Sequence, residues 1–283
     1  MNFITDSYFT IGSTHKVCQD YVLHSNNDKP YVILSDGCST AVDSDFGSRI
    51  LCKSLQPLIY KDTYDIHSLL DSVIRNAHTF SRTMALSDDS LCATLVFSKI
   101  QDDAFKVYSV GDAVIAAQNK NGQIHIIEYE FASGAPYYLR YELGNKKEEY
   151  FNQFGNEIYR STYQIGEYKA VINKIPGLIS QVDKVKVEFN QIFFEETFPL
   201  ADWEWVAVMS DGAKSFQQIV STATTKQNQP VSVLNTLGEL LAYKGFFGEF
   251  VQRRSQKAFK QFKEKNIHNY DDFSIGVIAS KEE

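Results

Sequence analysis

The sequence predicts an α+β fold in which mainly antiparallel sheets are covered by helices. Three observations carry this expectation: β-rich stretches follow one another as meanders, amphipathic helical periods fall into two batches, and strands and helices do not alternate as in a doubly wound sheet. The chain has 283 residues, 43% of them hydrophobic and 13% aromatic, which is enough apolar side chain for one large core. It is read as a single domain over residues 1–283.

In chain order, YVLHS and YVILSD (residues 21–25 and 31–36) are apolar, β-favouring runs and predict strands. Helical patterning follows from about Ser44 to Leu58. A second helix is marked by Ile66, Leu69, Leu70, Val73, Ile74, Ala77 and Phe80, whose spacing makes them one core-facing stripe. CATLVFSKI and AFKVYSVGDAVIAAQ then read as strands, and Asn121-Gly122 predicts a hairpin turn into QIHIIEYEF. Residues 132–166 lose any sustained period and are expected to form an insertion or flap. Strands resume in KVKVEF, QIFFEE and WEWVAVMSD. Helices are expected over about 230–243 and 246–265, and FSIGVIAS closes the chain as a strand. In the basic run from Gln252 to Lys265, Phe259 and Phe262 face inward and the charges form a solvated helix face.

Composition narrows the function classes. The formal net charge of −7 argues against a general binder of nucleic acid or acidic membrane, which needs a basic surface. No segment approaches the roughly 20 apolar residues that span a bilayer, and the first residues show no signal-peptide pattern. A cytoplasmic protein is expected. Cys18, Cys38, Cys52 and Cys92 are widely spaced with no C-x-x-C pair, so reduced thiols are expected rather than a zinc knuckle or a disulfide framework.

Acids at strand ends carry the chemistry. CQDY places Asp20, LSDG Asp36, VGDA Asp112, MSDG Asp211 and YDDFS Asp271 and Asp272. Each alone fits an ordinary turn or cap. As an ordered set they resemble the metal-dependent type 2C serine/threonine protein phosphatases, in particular the bacterial branch with a G-x-x-H…C-Q-D opening, here Gly12 to Asp20. SDG at 35–37, CATLV at 92–96, VGDA at 110–113, SDG at 210–212 and DDFS at 271–274 follow in the family's order.

The resemblance implies a four-layer α-β-β-α sandwich with two Mg²⁺ or Mn²⁺ ions at one end. Asp36 would bridge the ions, the Gly37 carbonyl and Asp20 would serve one, and Asp211 with Asp271 the other. Asp112, with Asp211, matches positions that hold a third, weaker ion in some members. Such oxygen donors suit hard cations, and gathered carboxylates would repel one another without them. Two ions would acidify water and clamp the phosphoryl group in an in-line displacement. Gly37 and Gly212 are expected to let the backbone turn sharply beside the acids.

The implied activity is hydrolysis of phosphoserine or phosphothreonine on proteins phosphorylated by a cognate kinase. A pseudophosphatase that binds phosphoproteins is the alternative. His15 stands where many members have a phosphate-binding Arg, which predicts weaker, pH-dependent phosphate contact. Gln19 replaces an acid, Cys38 stands where some members have a His, and Ser215 replaces the third ion's Asp.

Overall fold

The computed structural model describes residues 2–25, 27–61, 65–165, 180–188, 192–221 and 226–281. Its first half contains β1 (Asn2–Thr10), β2 (Asp20–Ser25), β3 (Tyr31–Asp36), α1 (Ser44–Leu55), α2 (Ile66–Thr83), β4 (Leu95–Gln101), β5 (Ala104–Val110), β6 (Val114–Asn119) and β7 (Ile124–Phe131). Then follow α3 (Lys146–Phe154), β8 (Glu157–Ile165), β9 (Ser180–Glu188), β10 (Phe194–Pro199) and β11 (Trp203–Met209). The last part holds β12 (Phe216–Ser221), β13 (Lys226–Pro230), α4 (Val233–Leu240), α5 (Phe250–Glu264), β14 (Ile267–Asn269) and β15 (Phe273–Lys281).

Two antiparallel sheets form the centre, with strand orders β1-β15-β11-β6-β7-β8-β9 and β10-β5-β4-β3-β2. Alternation along the strands shows how they stack. Val206 and Val208 of β11 join the core shared with the five-stranded sheet, α1 and α2, whereas Trp205, Ala207 and Met209 join the core under α4 and α5. Successive side chains of one strand thus serve opposite faces. The result is the expected α-β-β-α layering. Residues Tyr31–Ser35 of β3 are buried throughout, because the strand has α1 on one side and the other sheet behind it.

Several local expectations change. Phe80 is 58% exposed: the buried stripe of α2 continues from Ala77 to the fully buried Ser81 and leaves Phe80 on its flank. Residues 132–166 carry more regular structure than their pattern suggests. They supply a 3₁₀ turn (Leu139–Glu142), α3 and β8, and β8 pairs with β7 and β9. Tyr137 is fully buried there, with Tyr141, Tyr150 and Phe151 rings 5.0–5.8 Å away. Aromatic packing of this kind needs no helical or strand period, which is why the sequence pattern is silent. A small third sheet, β13-β12-β14, is a further addition. Phe259 is half-buried and Phe262 buried on α5, as the spacing predicts.

Candidate functional site

The β2–β3 hairpin brings the first two acids together. Asp20 opens β2, Asp36 closes β3, and the antiparallel register sets them directly opposite each other. The CATLV segment clamps this end. Thr94 Oγ1 accepts from the Asp36 amide (3.0 Å), the Thr94 amide donates to the Asp36 carbonyl (2.9 Å), and Gly37 bridges to Ala93. Gln19 Nε2 donates to Ser44 Oγ (2.6 Å), fastening the loop to the start of α1. Gln19 is therefore a brace for the hairpin end.

The second pair arrives from the other sheet. Asp211 follows β11 and opens a 3₁₀ turn, and Asp271 precedes β15, the neighbour of β11. Ser215 Oγ donates to the Gly212 carbonyl (2.8 Å) and accepts from the Asp271 amide (3.1 Å), so it ties the two acidic segments together. Asp272 looks the other way. Its carboxylate accepts from the amides of Gly12 (2.7 Å) and Gln19 (2.6 Å) and so anchors the Gly12–Asp20 segment.

Gly37 and Gly212 act differently from the sequence expectation. Neither has a positive φ. A Cβ on Gly37 would stand 2.7 Å from the Ser44 carbonyl oxygen, and one on Gly212 would stand 1.7 Å from that of Asp272. Both glycines permit backbone to pass against backbone, which is what packs the acid-bearing loops together.

Asp36, Asp112, Asp211 and Asp271, with Gly37, Thr94 and Tyr138, line one cavity of about 140 Å³. Asp20 lies behind it, fully buried. Asp36, Ser210 and Ser274 surround Asp20, yet no donor meets either of its carboxylate oxygens in hydrogen-bonding geometry. Burial pushes Asp20 up to about 7. Burial and then Asp211 push Asp112 up to about 7. Asp36 is raised well above the usual carboxylate range by burial, then by Asp20 and Asp211, and Asp271 is raised by burial, then by Asp211. Acids so placed resist ionising together.

These residues fit a hard divalent cation. The orphaned oxygens of Asp20 need a positive partner, and no Lys, Arg or His lines the cavity among the described residues. Among those residues no three His, Cys, Asp or Glu side chains form a complete binding set. Mg²⁺ does not need one, because it keeps several waters and takes one or two carboxylates.

His15 stands outside the cavity lining. Its Nδ1 lies 3.1 Å from Asp272 Oδ2 and its Nε2 3.4 Å from Asp271 Oδ1, which turns both ring nitrogens toward acids. Tyr138 has no counterpart in the sequence reading. It reaches the cavity from the aperiodic segment, with Cys38, Asp112 and Asp36 around its phenol, and it is 8% exposed. The four cysteines are unpaired, as expected, and burial raises the Cys18 thiol to about 12.

Residues 12–134 match the family model "Protein phosphatase 2C". Along nearly its whole length the chain is similar to solved phosphatase structures. A bacterial serine phosphatase aligns with a TM-score of 0.55 at 13% identity, covering 99% of this chain and 98% of its own. The serine/threonine phosphatase Stp1 from Staphylococcus aureus gives 0.54 at 12% identity, covering 100% and 96%. The serine/threonine phosphatase of S. agalactiae gives 0.53 at 15% identity, covering 99% and 100%. The chain has the protein phosphatase 2C fold. The protein phosphatase 2C match includes the segment that delivers Asp20, Asp36 and Asp112, while Asp211 and Asp271 lie beyond it. No curated protein matches the chain. Among the described residues no helix is long and apolar enough to cross a membrane.

Proposed function

We propose that this chain is a metal-dependent protein phosphatase that hydrolyses phosphoserine and phosphothreonine on proteins phosphorylated by a serine/threonine kinase. One observation carries the reading: four acids from segments far apart in sequence line a single cavity, backed by a fifth whose buried oxygens have no partner. Asp20, Asp36 and the Gly37 carbonyl would hold one cation, Asp36, Asp211 and Asp271 a second, and Asp112 would assist at the Asp211 side. When bound, two Mg²⁺ or Mn²⁺ ions supply a nucleophile from water at neutral pH and neutralise phosphoryl charge.

The chain's own residues then do three things. Strand ends fix the carboxylates on rigid elements, so the site needs little reorganisation. Tyr138 offers a hydroxyl donor at the rim, able to meet a phosphoryl or departing seryl oxygen. His15 braces Asp271 and Asp272 from outside, a role the geometry favours over the direct phosphate contact expected from the sequence.

His15 and Gln19, where many members of the resembled family carry an Arg and an acid, suit a second reading, a phosphoprotein-binding module without turnover. Hydrolysis of p-nitrophenyl phosphate with Mn²⁺ decides between them. Turnover that disappears with chelator, and falls by at least about 100-fold in Asp36→Asn and in Asp211→Asn, is the expected result. A wild-type protein inert across a broad metal and pH screen would overturn the phosphatase reading and favour the binding module.

A further inference from the structure

The connection between α4 and α5, residues 241–249, builds a cleft far from the acids. One chamber of about 170 Å³ is lined by Lys244, Arg253, Arg254 and Lys257 with Tyr243 and Phe247 among their neighbours, and no acidic side chain among the described residues lines it. That is notable in a chain with 35 acidic residues against 28 lysines and arginines. An adjoining chamber of about 440 Å³ shares Tyr243, Lys244 and Phe247 and adds Gln118, Glu204 and Lys281. Lys281 ends β15, whose opposite end follows Asp272. At about 3.3 Å per residue, the length of β15 separates cleft from acids by roughly 25 Å.

The cations differ in what already holds them. Arg254 is committed to Glu239, with Nη2 2.7 Å from Oε2 and Nε donating to the Glu239 carbonyl. Arg253 donates to the Phe247 carbonyl (2.6 Å) and lies 4.8 Å from the centre of the Phe247 ring. Lys244 and Lys257 are exposed and have no ion-pair partner among the described residues. Phe247 itself is 68% exposed, the highest value among the large apolar side chains described. Arg253 covers one face of its ring and stacking remains open to the other.

Uncompensated cations beside an open aromatic face complement an anion that carries a planar ring. The phosphate end calls for Lys244, Arg253 and Lys257. The ring calls for Phe247, since a base stacks on an aromatic face whatever its hydrogen-bonding edge. The two chambers together fall within the roughly 300–1,000 Å³ typical of small-molecule sites. We propose that this cleft binds a nucleoside diphosphate, independently of the acid cavity and of the phosphatase reading.

The test is calorimetric titration of the full chain with ADP and with pyrophosphate, in chelator so that no cation recruits phosphate to the acids, at about 0.15 M salt to screen loose attraction. Saturable one-to-one binding of ADP is expected, with pyrophosphate at least about fivefold weaker for want of the stacked base. Lys244→Ala combined with Lys257→Ala should weaken ADP at least about tenfold. Thermal melts equal to wild type would show that this double variant still folds. Phe247→Ala should bring ADP down to the level of pyrophosphate, and Asp36→Asn should bind ADP as wild type does. The proposal is overturned if ADP does not saturate at about 5 mM, if pyrophosphate binds as tightly as ADP, if the lysine variant binds unchanged, or if Asp36→Asn loses the site.

Discussion

Replacing Asp20 by Asn should make the metal-free protein more stable, against the usual direction for a change at a buried residue. Asp20 is fully buried, and its oxygens have no donor to lose. Burial raises its pKa from 3.8 to about 7. At about 1.36 kcal/mol per unit, a rise of that size corresponds to about 4 kcal/mol held against the ionised folded state. The sign follows from proton binding. Between 3.8 and about 7 the folded chain retains a proton that the unfolded chain has released, so stability falls as pH rises through that window, and the whole penalty is present above it. Asn cannot ionise, and its amide can donate to the Asp36 carboxylate beside it. Thermal melts in chelator should place Asp20→Asn about 10 °C above wild type at pH 8, since 1 kcal/mol moves a protein of this size by about 2–4 °C. The gap should close toward pH 4. With millimolar Mn²⁺ the order should reverse, because only the wild type gains a full complement of ligands and so the larger stabilisation from binding. A variant less stable than wild type in chelator at pH 8, or a gap that ignores pH, would refute the reasoning.

Gly212→Ala drives a methyl to within 1.7 Å of the Asp272 carbonyl oxygen and should cost more than about 3 kcal/mol, read as a large fall in melting temperature or loss of soluble protein. Tyr138→Phe removes one hydroxyl from the cavity rim and should lower kcat/KM for a phosphopeptide about tenfold with the melting temperature nearly unchanged. His15→Ala leaves every cavity-lining acid in place but removes their outer brace, so the Mn²⁺ concentration giving half-maximal turnover should rise about tenfold.

Much of this was legible because the site is built from short, local signals. An apolar strand ending in Asp-Gly states both the element and the position of the acid on it, and LSDG and MSDG do so at Asp36 and Asp211. Helical stripes gave α2 and α5 by spacing, and Asn121-Gly122 gave the turn between β6 and β7. What escaped was set by tertiary contact. Tyr138 enters the cavity because the rings around Tyr137 pack its segment against the core, and such packing leaves no period to read. The work of Gly37 and Gly212 is likewise invisible in sequence, because the atoms that forbid a side chain belong to Ser44, across a loop, and to Asp272, distant along the chain.

The two central sheets explain why the acids meet at all. Asp20 and Asp36 share the end of one hairpin in the five-stranded sheet, whereas Asp211 and Asp271 sit at neighbouring strand ends in the seven-stranded one. Backbone hydrogen bonds fix the spacing of the first pair, the Ser215 hydroxyl ties the segments of the second, and the distance between pairs is fixed by how the sheets stack. Repulsion among the four therefore cannot relax by moving one strand without breaking its ladder. The strain has two outlets, a proton or a cation. The raised pKa values of Asp20 and Asp112 describe the first, and the orphaned oxygens of Asp20 mark where the second would attach. Competition between them predicts that raising the pH from 5.5 to 7.5 tightens Mn²⁺ binding to the folded chain, with protons released as the metal enters. Calorimetric titrations in buffers of different ionisation enthalpy measure that release directly, and metal uptake without it would mean that the acids were already ionised and the cavity already open to charge.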